Sequence, residues 1–398
     1  MSSDTTDGST DGSTDGSTDA ELITAPRPTL NPAPGGEPPV VSAKDIAARW
    51  EVAGAEIAEA LQNELVIAFV GAASAGKDAA IRALFGVDFG QVDPIPGSTD
   101  RLRAIRLDAD GRVMVINAPG FGDLRPEVES TSRALVERLD VAIYMVNADG
   151  GATADDRAAL QSILALQRPV LVCVNKIDLI REHQREVLFH TTITQLGVSA
   201  NTAIACAFDP LPGLGDPIGV QEVIDWLSRT LKKEGKGLLF AKQLRDRAAA
   251  SEPLIRAAAR AAALAGAVPV PGADIAAVSA VQVKLISDIA AVHEVRVDRD
   301  VALFIMGEAL AGASKGFVRW ALGVLKAAGW IPGGQLGELA ASALGATISA
   351  AATYGVGQAA VRYMGQAAKG ETMTGDEIRE VFNEAAFAYK DAKTEEAP

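Results

Sequence analysis

The stretch GAASAGKD (Gly71–Asp78) decides the fold of this chain. It follows the apolar run ELVIAFV and precedes AAIRALFG, so the sequence predicts a strand, a glycine-rich turn and the start of a helix. The N–H groups of such a turn converge on phosphate oxygens, and the helix dipole adds to their attraction. The simpler alternative is a strand-to-helix loop with an ordinary surface lysine. The predicted phosphate-binding residues are Gly71, Ser74, Ala75, Gly76, Lys77 and Asp78.

Residues 65–231 alternate between apolar strand-like runs and helix-like stretches. This alternation predicts the α/β class, with a mostly parallel sheet covered by helices on both faces. The runs LRAIRL and RVMVIN are separated only by DADG, which predicts an antiparallel hairpin at a sheet edge. After Lys233 the strand pattern stops, and residues 240–392 have the pattern of alanine- and glycine-rich helices. The predicted fold is therefore a P-loop domain followed by an all-α helical domain.

The sequence VCVNKIDL (residues 172–179) places N-K-x-D after another apolar strand. N-K-x-D is the guanine-reading motif of GTPases. Asn175 would present its amide to the ring, and the Lys176 stem would lie over the base. The Asp178 carboxylate would accept two N–H groups, a pair of donors that adenine lacks. The motif therefore favours GTP over ATP.

In the order, spacing and strand context of these motifs, residues 65–234 resemble an Era/TrmE-like GTPase. The resemblance implies GTP and GDP as ligands and Mg²⁺ as cofactor. PIPGSTDR (residues 94–101) resembles a switch I loop, in which Thr99 reaches the metal and the terminal phosphate; an ordinary turn threonine is the alternative. The run ACA (residues 205–207) stands where a backbone N–H contacts the guanine carbonyl, which implies Cys206 and Ala207. The residues implied in catalysis are Lys77, Thr99 and Gly120.

Two positions depart from the family pattern. The family's phosphate loop ends in Ser or Thr, where this chain has Asp78. Its second motif begins with Asp, as in D-x-P-G, where this chain has Asn117. Together the changes move a carboxylate from one side of the metal to the other. Because Mg²⁺ takes one or two carboxylates besides phosphate oxygens and waters, we expect Asp78 to bind it directly and Asn117 to hold a metal-bound water, with Thr99 completing the predicted metal residues. The alternative is that metal affinity is lost.

The predicted hydrolytic machinery lacks one group. Phe121 follows Pro119 and Gly120, at the position where Ras-like enzymes place a water-orienting glutamine. Similar Era-like GTPases recruit the missing group from a partner, a dimer or a potassium ion, and Ser74 stands where some of them have a potassium-binding asparagine. The resemblance therefore implies slow intrinsic hydrolysis, on the order of 10⁻⁴ s⁻¹, unless a partner completes the site.

The composition is that of a globular, acidic chain. Its 398 residues carry a net charge of −14, which argues against a nucleic-acid surface as the main partner. Part of the acid lies in the N-terminal segment, where DGST is repeated three times within residues 7–18. No signal peptide is expected, and Cys173 and Cys206 fit reduced thiols of a cytosolic protein. The predicted divisions are 1–41 as a disordered acidic tail, 42–64 as a leading helix, 65–234 as the GTP-binding domain, 235–392 as the helical domain and 393–398 as a second tail.

The helical domain begins with a segment, residues 267–293, that resembles a bacterial GTPase-associated helical domain of unknown function. Within it Gln282 shares a row with apolar residues, so we expect it to tie helices together. Residues 339–361 contain no charge and are long enough to span a membrane. They are mostly small residues that suit tight helix packing, so we expect a soluble or membrane-apposed bundle and keep true insertion as the alternative.

The sequence therefore predicts a GTP-binding protein that hydrolyses GTP slowly and acts as a nucleotide-dependent switch or assembly factor through its helical domain. One alternative is a membrane-associated or membrane-remodelling GTPase, and another is a structural protein that binds nucleotide without hydrolysing it. The expected partners are guanine nucleotide and a protein effector that the sequence does not name. A homodimer and a membrane surface stay open. The expected location is the cytoplasm, with a peripheral position at the inner face of the cell membrane as the variant.

Overall fold

The computed structural model describes residues 23–25, 43–88, 103–119, 137–213, 215–267, 273–309, 311 and 336–395. The strands are β1 (Ile23–Thr24), β2 (Leu65–Gly71), β3 (Arg103–Arg106), β4 (Val113–Pro119), β5 (Val141–Asn147), β6 (Val170–Asn175), β7 (Ala203–Ala205) and β8 (Val295–Arg296). The helices are α1 (Ala43–Ala60), α2 (Lys77–Phe85), α3 (Ala154–Leu164), α4 (Glu182–Leu196), α5 (Val220–Lys233), α6 (Gly237–Gln243), α7 (Arg247–Gly266), α8 (Ala273–His293), α9 (residues 299–309), α10 (Leu336–Ala367) and α11 (Gly375–Glu395).

Six strands form one sheet in the order β3-β4-β2-β5-β6-β7. The β3–β4 pair is antiparallel and lies at the edge, and the other neighbouring pairs are parallel. This confirms the predicted class and the predicted hairpin. Parallel order brings the carboxyl ends of β2, β4 and β6 to the same edge of the sheet, so the loop after β2 lies beside the ends of β4 and β6.

The central strand β2 explains why the sheet is covered on both faces. All its residues are buried. Successive side chains point to opposite faces. Leu65, Ile67 and Phe69 contribute to a core that also contains residues of α2, α5 and α6. Val66, Ala68 and Val70 contribute to a second core with residues of α3 and α4. A strand that is apolar on both faces requires a helical layer on each side.

The helical domain has a core of its own, in which α10 packs against α7, α8 and α11. Small residues allow this close packing: a Cβ added at Gly357 would lie 2.8 Å from side-chain atoms of Ile255. Ala350, Ala351 and Thr353 are fully buried, so much of the predicted 339–361 segment is interior. Gln282 is buried and its Nε2 donates to Thr353 Oγ1 at 3.3 Å, which confirms its expected role between helices.

One described helix, Ile275–His293, is long and apolar enough to cross a membrane, and half of that stretch is buried inside the protein. The uncharged segment 339–361 does not meet the same criterion within the part of the chain that the structure covers. Burial of a helix in a protein core explains an apolar composition as well as a bilayer does.

The helical domain packs onto the sheet through α6 and α7. Phe240, Leu244 and Ala250 belong to the core beneath β2, together with Val292 at the end of α8. Asp140 adds a polar link, because its carboxylate accepts the Val66 N–H at 2.9 Å and the Lys236 ammonium at 2.6 Å. The six-stranded sheet and the helical bundle therefore share one interface.

The N-terminal prediction needs one correction. Residues 23–25 were expected to belong to a disordered tail, but β1 pairs in parallel with β8 and Ala25 is buried. The segment ITA is apolar enough to occupy a short edge next to the helical core. The remainder of the predicted tail lies outside the described residues. The predicted leading helix, residues 42–64, corresponds to α1, whose Glu56 pairs with Lys284 of α8 at 3.0 Å.

Candidate functional site

The loop Gly71–Asp78 connects β2 to α2 as predicted. Residues 73–75 form a single 3₁₀ turn, and α2 begins at Lys77. The Lys77 ammonium folds back over the loop and donates to the carbonyl oxygens of Gly71 and Ala72, each at 2.9 Å. Burial lowers the pKa of Lys77, and the neighbouring Asp78 carboxylate opposes that effect. The loop therefore holds a largely desolvated cation at the start of a helix.

Gly76 is required by a close approach. Its φ is +88°, and a Cβ at this position would overlap the side-chain nitrogen of Asn175. Gly71 is required in the same way, because a Cβ there would overlap the carbonyl oxygen of Met145. The motif glycines thus allow the loop to lie directly against β5 and β6, and β6 is the strand that carries NKID.

Asn175 joins three parts of the site. It is 2% exposed, its Nδ2 donates to the Ala75 carbonyl at 2.9 Å, and its Oδ1 accepts the Phe208 N–H at 3.3 Å. The sequence predicted that this amide faces the guanine ring. In the structure both ends of the carboxamide contact backbone instead, because Gly76 brings the phosphate loop within hydrogen-bond reach. Asn175 therefore fixes the loop after β2 relative to the segment after β7.

Asp178 and Lys176 occupy a short turn after β6. Lys176 has a φ of +64° and is half-buried, and Asp178 is 9% exposed. Within the described chain, the Asp178 carboxylate accepts a single long hydrogen bond, from the Leu211 N–H to Oδ2 at 3.4 Å. An ionised carboxylate has about four acceptor positions, so Asp178 keeps the capacity to accept two further N–H groups.

The ACA segment does not place its N–H groups as predicted. The Cys206 N–H donates to the Val174 carbonyl at 2.8 Å, and the Ala207 N–H donates to the Ile218 carbonyl at 3.0 Å. Both donors are taken up by strand-like pairing, so neither is available to a guanine carbonyl in this arrangement. The Cys206 thiol is buried, and burial together with the nearby Cys173 raises its pKa. The adjacent Phe208 is buried as well, and its N–H donates to Asn175 Oδ1 at 3.3 Å.

Asp78 and Asn117 lie in direct contact. Asn117 is near the end of β4, beside Phe69 of β2, and its Nδ2 donates to Asp78 Oδ1. The second oxygen of Asp78 and the amide oxygen of Asn117 remain as acceptors. In the described parts of the chain no group of three or more His, Cys, Asp or Glu side chains is arranged to hold a metal ion. The two positions that depart from the family pattern therefore form one oxygen-rich pair.

The structure describes one further predicted site residue, Ser74, and brings two residues into the site that were not predicted, Ala72 and Phe208. Ser74 is exposed on the 3₁₀ turn, whereas Thr99, Gly120 and Phe121 lie outside the described residues. Ala72 and Phe208 were missed by the sequence reasoning. Each acts through its backbone, so no side-chain pattern marks it.

Two family models match the chain. Residues 66–176 match "50S ribosome-binding GTPase", and residues 232–389 match "Domain of unknown function (DUF697)". The first match covers most of β2, the loop after it and the first two residues of NKID, and the second covers the helices from the end of α5 into α11.

Curated relatives match the first part of the chain. GTPase Der of Xanthomonas campestris pv. campestris (strain B100) is 31% identical over 183 residues, which is 43% of this chain and 39% of the relative. GTPase Der of Stenotrophomonas maltophilia (strain K279a) is 30% identical over 132 residues, 31% of this chain and 28% of the relative. The tRNA modification GTPase MnmE of Acaryochloris marina (strain MBIC 11017) is 27% identical over 150 residues, 36% and 32% respectively. The matched region thus spans less than half of each relative.

Solved structures align with a similar portion. A probable GTP-binding protein engB has a TM-score of 0.32 and 20% identity, covering 42% of this chain and 99% of that one. Era of Aquifex aeolicus, bound to GDP and AlF4⁻, has a TM-score of 0.27 and 17% identity, covering 42% and 65%.

Proposed function

We propose that this chain, which carries a P-loop GTPase domain homologous to those of Der and MnmE followed by a DUF697 domain, hydrolyses GTP slowly and acts as a nucleotide-dependent switch or assembly factor. The observation that carries the proposal is the position of Asn175. Its carboxamide holds the phosphate loop at Ala75 and the segment after ACA at Phe208. The loop that we assign to the phosphates and the segment that we assign to the base are thus linked by hydrogen bonds to one side chain.

Guanine selection rests on Asp178. Its carboxylate is nearly buried, accepts one weak hydrogen bond and forms no salt bridge with a cation among the described residues. The N1–H and N2–H groups of guanine are a pair of donors that such a carboxylate accepts side by side, whereas adenine presents an acceptor at N1. Asp178 is therefore the residue that we assign to discrimination between GTP and ATP.

Magnesium suits the pair Asp78 and Asn117. Both supply oxygen atoms, the ligand type that Mg²⁺ prefers, and together they bring only one carboxylate, as is usual for a site completed by phosphates and water. We assign Asp78 as the direct protein ligand and Asn117 as the residue that holds a metal-bound water, with Thr99 as the third predicted contributor. Bound Mg²⁺ would neutralise part of the phosphate charge.

Lys77 is the residue that we assign to the outer phosphates. Its ammonium is held by two backbone carbonyls of the loop. Exchanging these neutral acceptors for phosphate oxygens adds the attraction between opposite charges to hydrogen bonds that the ammonium already makes. Slow hydrolysis follows from the absence of a water-orienting glutamine after Gly120, which a partner or a second copy of the chain would have to supply.

The route from nucleotide to helical domain runs through α5. Ala207 pairs with Ile218, and α5 begins directly after Gly219. Farther along α5, Asp225 accepts a hydrogen bond from Arg256 of α7 at 2.8 Å. Arg256 also pairs with Glu252 at 2.8 Å, and Glu252 accepts from Gln358 of α10 at 2.8 Å. This polar chain connects the guanine-binding segment to the centre of the bundle.

The test is nucleotide binding together with phosphate release on the full chain. We expect fluorescent GDP and GTP analogues to bind and the adenine analogue to bind at least about a hundredfold more weakly. Lys77→Ala should weaken GTP binding by about tenfold or more and abolish phosphate release. Lys369→Ala is the matched control, since Lys369 is exposed in the turn after α10. Phosphate release that persists at full rate in Lys77→Ala would contradict the proposal, and nucleotide binding without any release would favour the non-hydrolysing alternative.

For location we propose the cytoplasm, with a peripheral position at a membrane as the alternative that the helix Ile275–His293 keeps open. Flotation of the full chain with liposomes in GDP and in a GTP analogue separates the two. Recovery with the liposomes that resists carbonate would indicate integral insertion, and recovery that carbonate reverses would indicate a peripheral contact.

A further inference from the structure

A groove of about 1120 Å³ lies between α5 of the GTPase domain and helices α7 and α8 of the helical domain. No residue of the nucleotide loop or of NKID is among its described lining. Its size is at the upper end of the range for small-molecule sites, which are typically concave and mostly apolar with a few well-placed polar groups.

The floor of the groove is apolar. It is formed by side chains from α5, α6, α7 and α8, among them Trp226, Leu238, Leu254 and Leu285. Three alanines of α7, at positions 257, 258 and 261, also line the groove, and their small side chains leave space for a ligand. A ligand that occupies this floor must therefore carry a hydrocarbon portion.

One polar atom in the groove has no protein partner. Ser228 is 8% exposed, it lines the groove, and its Oγ makes no hydrogen bond within the described chain. The other buried serines in helices behave differently. Ser251, Ser279 and Ser287 each donate to the carbonyl four residues earlier, at 2.7, 2.8 and 3.0 Å. An unpaired buried hydroxyl is costly, so the exception at Ser228 indicates a partner that comes from outside the chain.

The charges around Ser228 indicate the sign of that partner. Most carboxylates of the groove are engaged by cations: Asp225 by Arg256 at 2.8 Å, and Glu56 and Asp288 by Lys284 at 3.0 and 3.2 Å. The remaining one, Glu222, lies toward Cys206.

Four cations of the lining have no carboxylate within 4 Å among the described residues: Arg229, Lys232, Lys233 and Arg260. Lys232 is one turn after Ser228 on the same helix face, so its ammonium and the Ser228 hydroxyl can reach one group. The described lining as a whole carries five cationic and four acidic side chains, and Lys232 also lies near enough to Asp288 to lower the pKa of that carboxyl. In a chain of net charge −14, the groove is therefore a region of slight positive charge.

We propose that the interdomain groove binds a single-chain anionic amphiphile, with its alkyl chain along the apolar floor and its acid group, a carboxylate or a phosphate monoester, at Ser228 and Lys232. Both head groups offer acceptors to the Ser228 hydroxyl and the Lys232 ammonium. A neutral lipid lacks the charge that pairs with Lys232, and free phosphate lacks the alkyl chain that covers the apolar floor. Because the groove is bounded by both domains, the ligand contacts the interface between the GTPase domain and the helical bundle.

The experiment is calorimetric titration of the full chain with decyl phosphate, decanoate, decanol and inorganic phosphate, all below their aggregation concentrations. We expect saturable binding of decyl phosphate or decanoate at one site, and the tighter of the two identifies the head group. Decanol and inorganic phosphate should each bind about tenfold more weakly or not at all. Binding of decanol as tight as that of both acids would overturn the proposal, as would the absence of saturable binding by either acid.

Variants locate the site. Lys232→Glu should weaken binding of the preferred acid by about tenfold, whereas Lys369→Glu, which makes the same charge change on an exposed turn, should leave it unchanged. Ser228→Ala should weaken binding about threefold or more without lowering the thermal midpoint of the ligand-free protein, because the lost hydroxyl has no protein partner. GDP affinity, unchanged in each variant, serves as the test of folding. Equal effects of Lys232→Glu and Lys369→Glu would overturn the assignment.

Discussion

Asn117 donates a hydrogen bond from its carboxamide to the carboxylate of Asp78. These are the two positions at which the chain departs from the Ser or Thr and the Asp of related GTPases. Their contact shows that the two departures lie at one place in the structure. A carboxylate next to an amide preserves both the charge and the oxygen atoms of the usual arrangement.

Asn175→Ala should weaken both the fold and nucleotide binding. The change removes hydrogen bonds to Ala75 and Phe208 and leaves their buried backbone groups without partners. We expect the free energy of unfolding to fall by about 1–3 kcal/mol and GDP affinity to fall by at least about tenfold. Urea unfolding and fluorescent GDP titration measure the two effects. Asn201→Ala, at an exposed position, is the control and should change neither.

Gly76→Ala should abolish nucleotide binding, although the substitution adds only one methyl group. The new Cβ would overlap the Asn175 side chain and would occupy a left-handed backbone conformation, so the phosphate loop must move away from β6. GDP titration of the folded variant measures the loss. Gly150→Ala is the matched control, because a Cβ there meets no atom within 4 Å. Equal GDP affinity in the two variants would show that the loop does not need this close approach.

The stability of the protein should depend on pH through His293. Burial and the nearby Arg247 lower its pKa from 6.5 to about 4. The unfolded chain therefore takes up a proton first, so the contribution of neutral His293 is present above pH 6.5 and is lost as pH falls toward 4. The expected slope is at most about 1.4 kcal/mol per pH unit within this window.

His293→Gln, which stays uncharged, isolates that contribution. Urea unfolding at several pH values between 7.5 and 5 should show a smaller loss of stability in this variant than in the wild type. His183→Gln, at an exposed site on α4, should keep the wild-type slope. Parallel curves for wild type and His293→Gln would rule out this residue as the source.

Arg256→Ala should uncouple the helical domain from the nucleotide site. The change removes the link from Asp225 of α5 to Glu252 of α7. Because exposed ion pairs contribute only about 0.2–1 kcal/mol, we expect little loss of stability. We expect a smaller difference in amide hydrogen exchange of α10 between the GDP and GTP-analogue states. The control is Arg157→Ala, at an exposed position on α3, which should preserve the difference in hydrogen exchange. If Arg256→Ala also preserves it, Arg256 does not connect the nucleotide site to the helical domain.

Much of the GTPase fold was predictable because it depends on local patterns. The apolar period of β2 required cover on both faces, and DADG between two apolar runs specified the edge hairpin. The pattern of small residues in 339–361 indicated close helix packing, and α10 shows it. In each case neighbouring residues carried the signal.

The features of the site that could not be predicted depend on contacts between distant parts of the chain. Asn175 and Ala75 are 100 residues apart, and their hydrogen bond exists only because Gly76 admits β6 to the loop. The N–H groups that the motif had suggested for guanine are instead donated to distant carbonyls, that of Cys206 to Val174 and that of Ala207 to Ile218. Backbone groups have the same chemistry at every position, so no sequence pattern distinguishes those that have partners.

If Asp78 and Asn117 hold the metal of a bound guanine nucleotide, GTP affinity must depend on Mg²⁺, and GTP titration at several Mg²⁺ concentrations measures this dependence. The variants are Asp78→Ala and the double variant Asp78→Ser with Asn117→Asp, which restores the family pattern. We expect wild-type affinity to rise by at least about tenfold with Mg²⁺, Asp78→Ala to lose this response, and the double variant to regain it. Wild-type GTP affinity that does not change with Mg²⁺ would contradict the assignment of Asp78 and Asn117 to the metal.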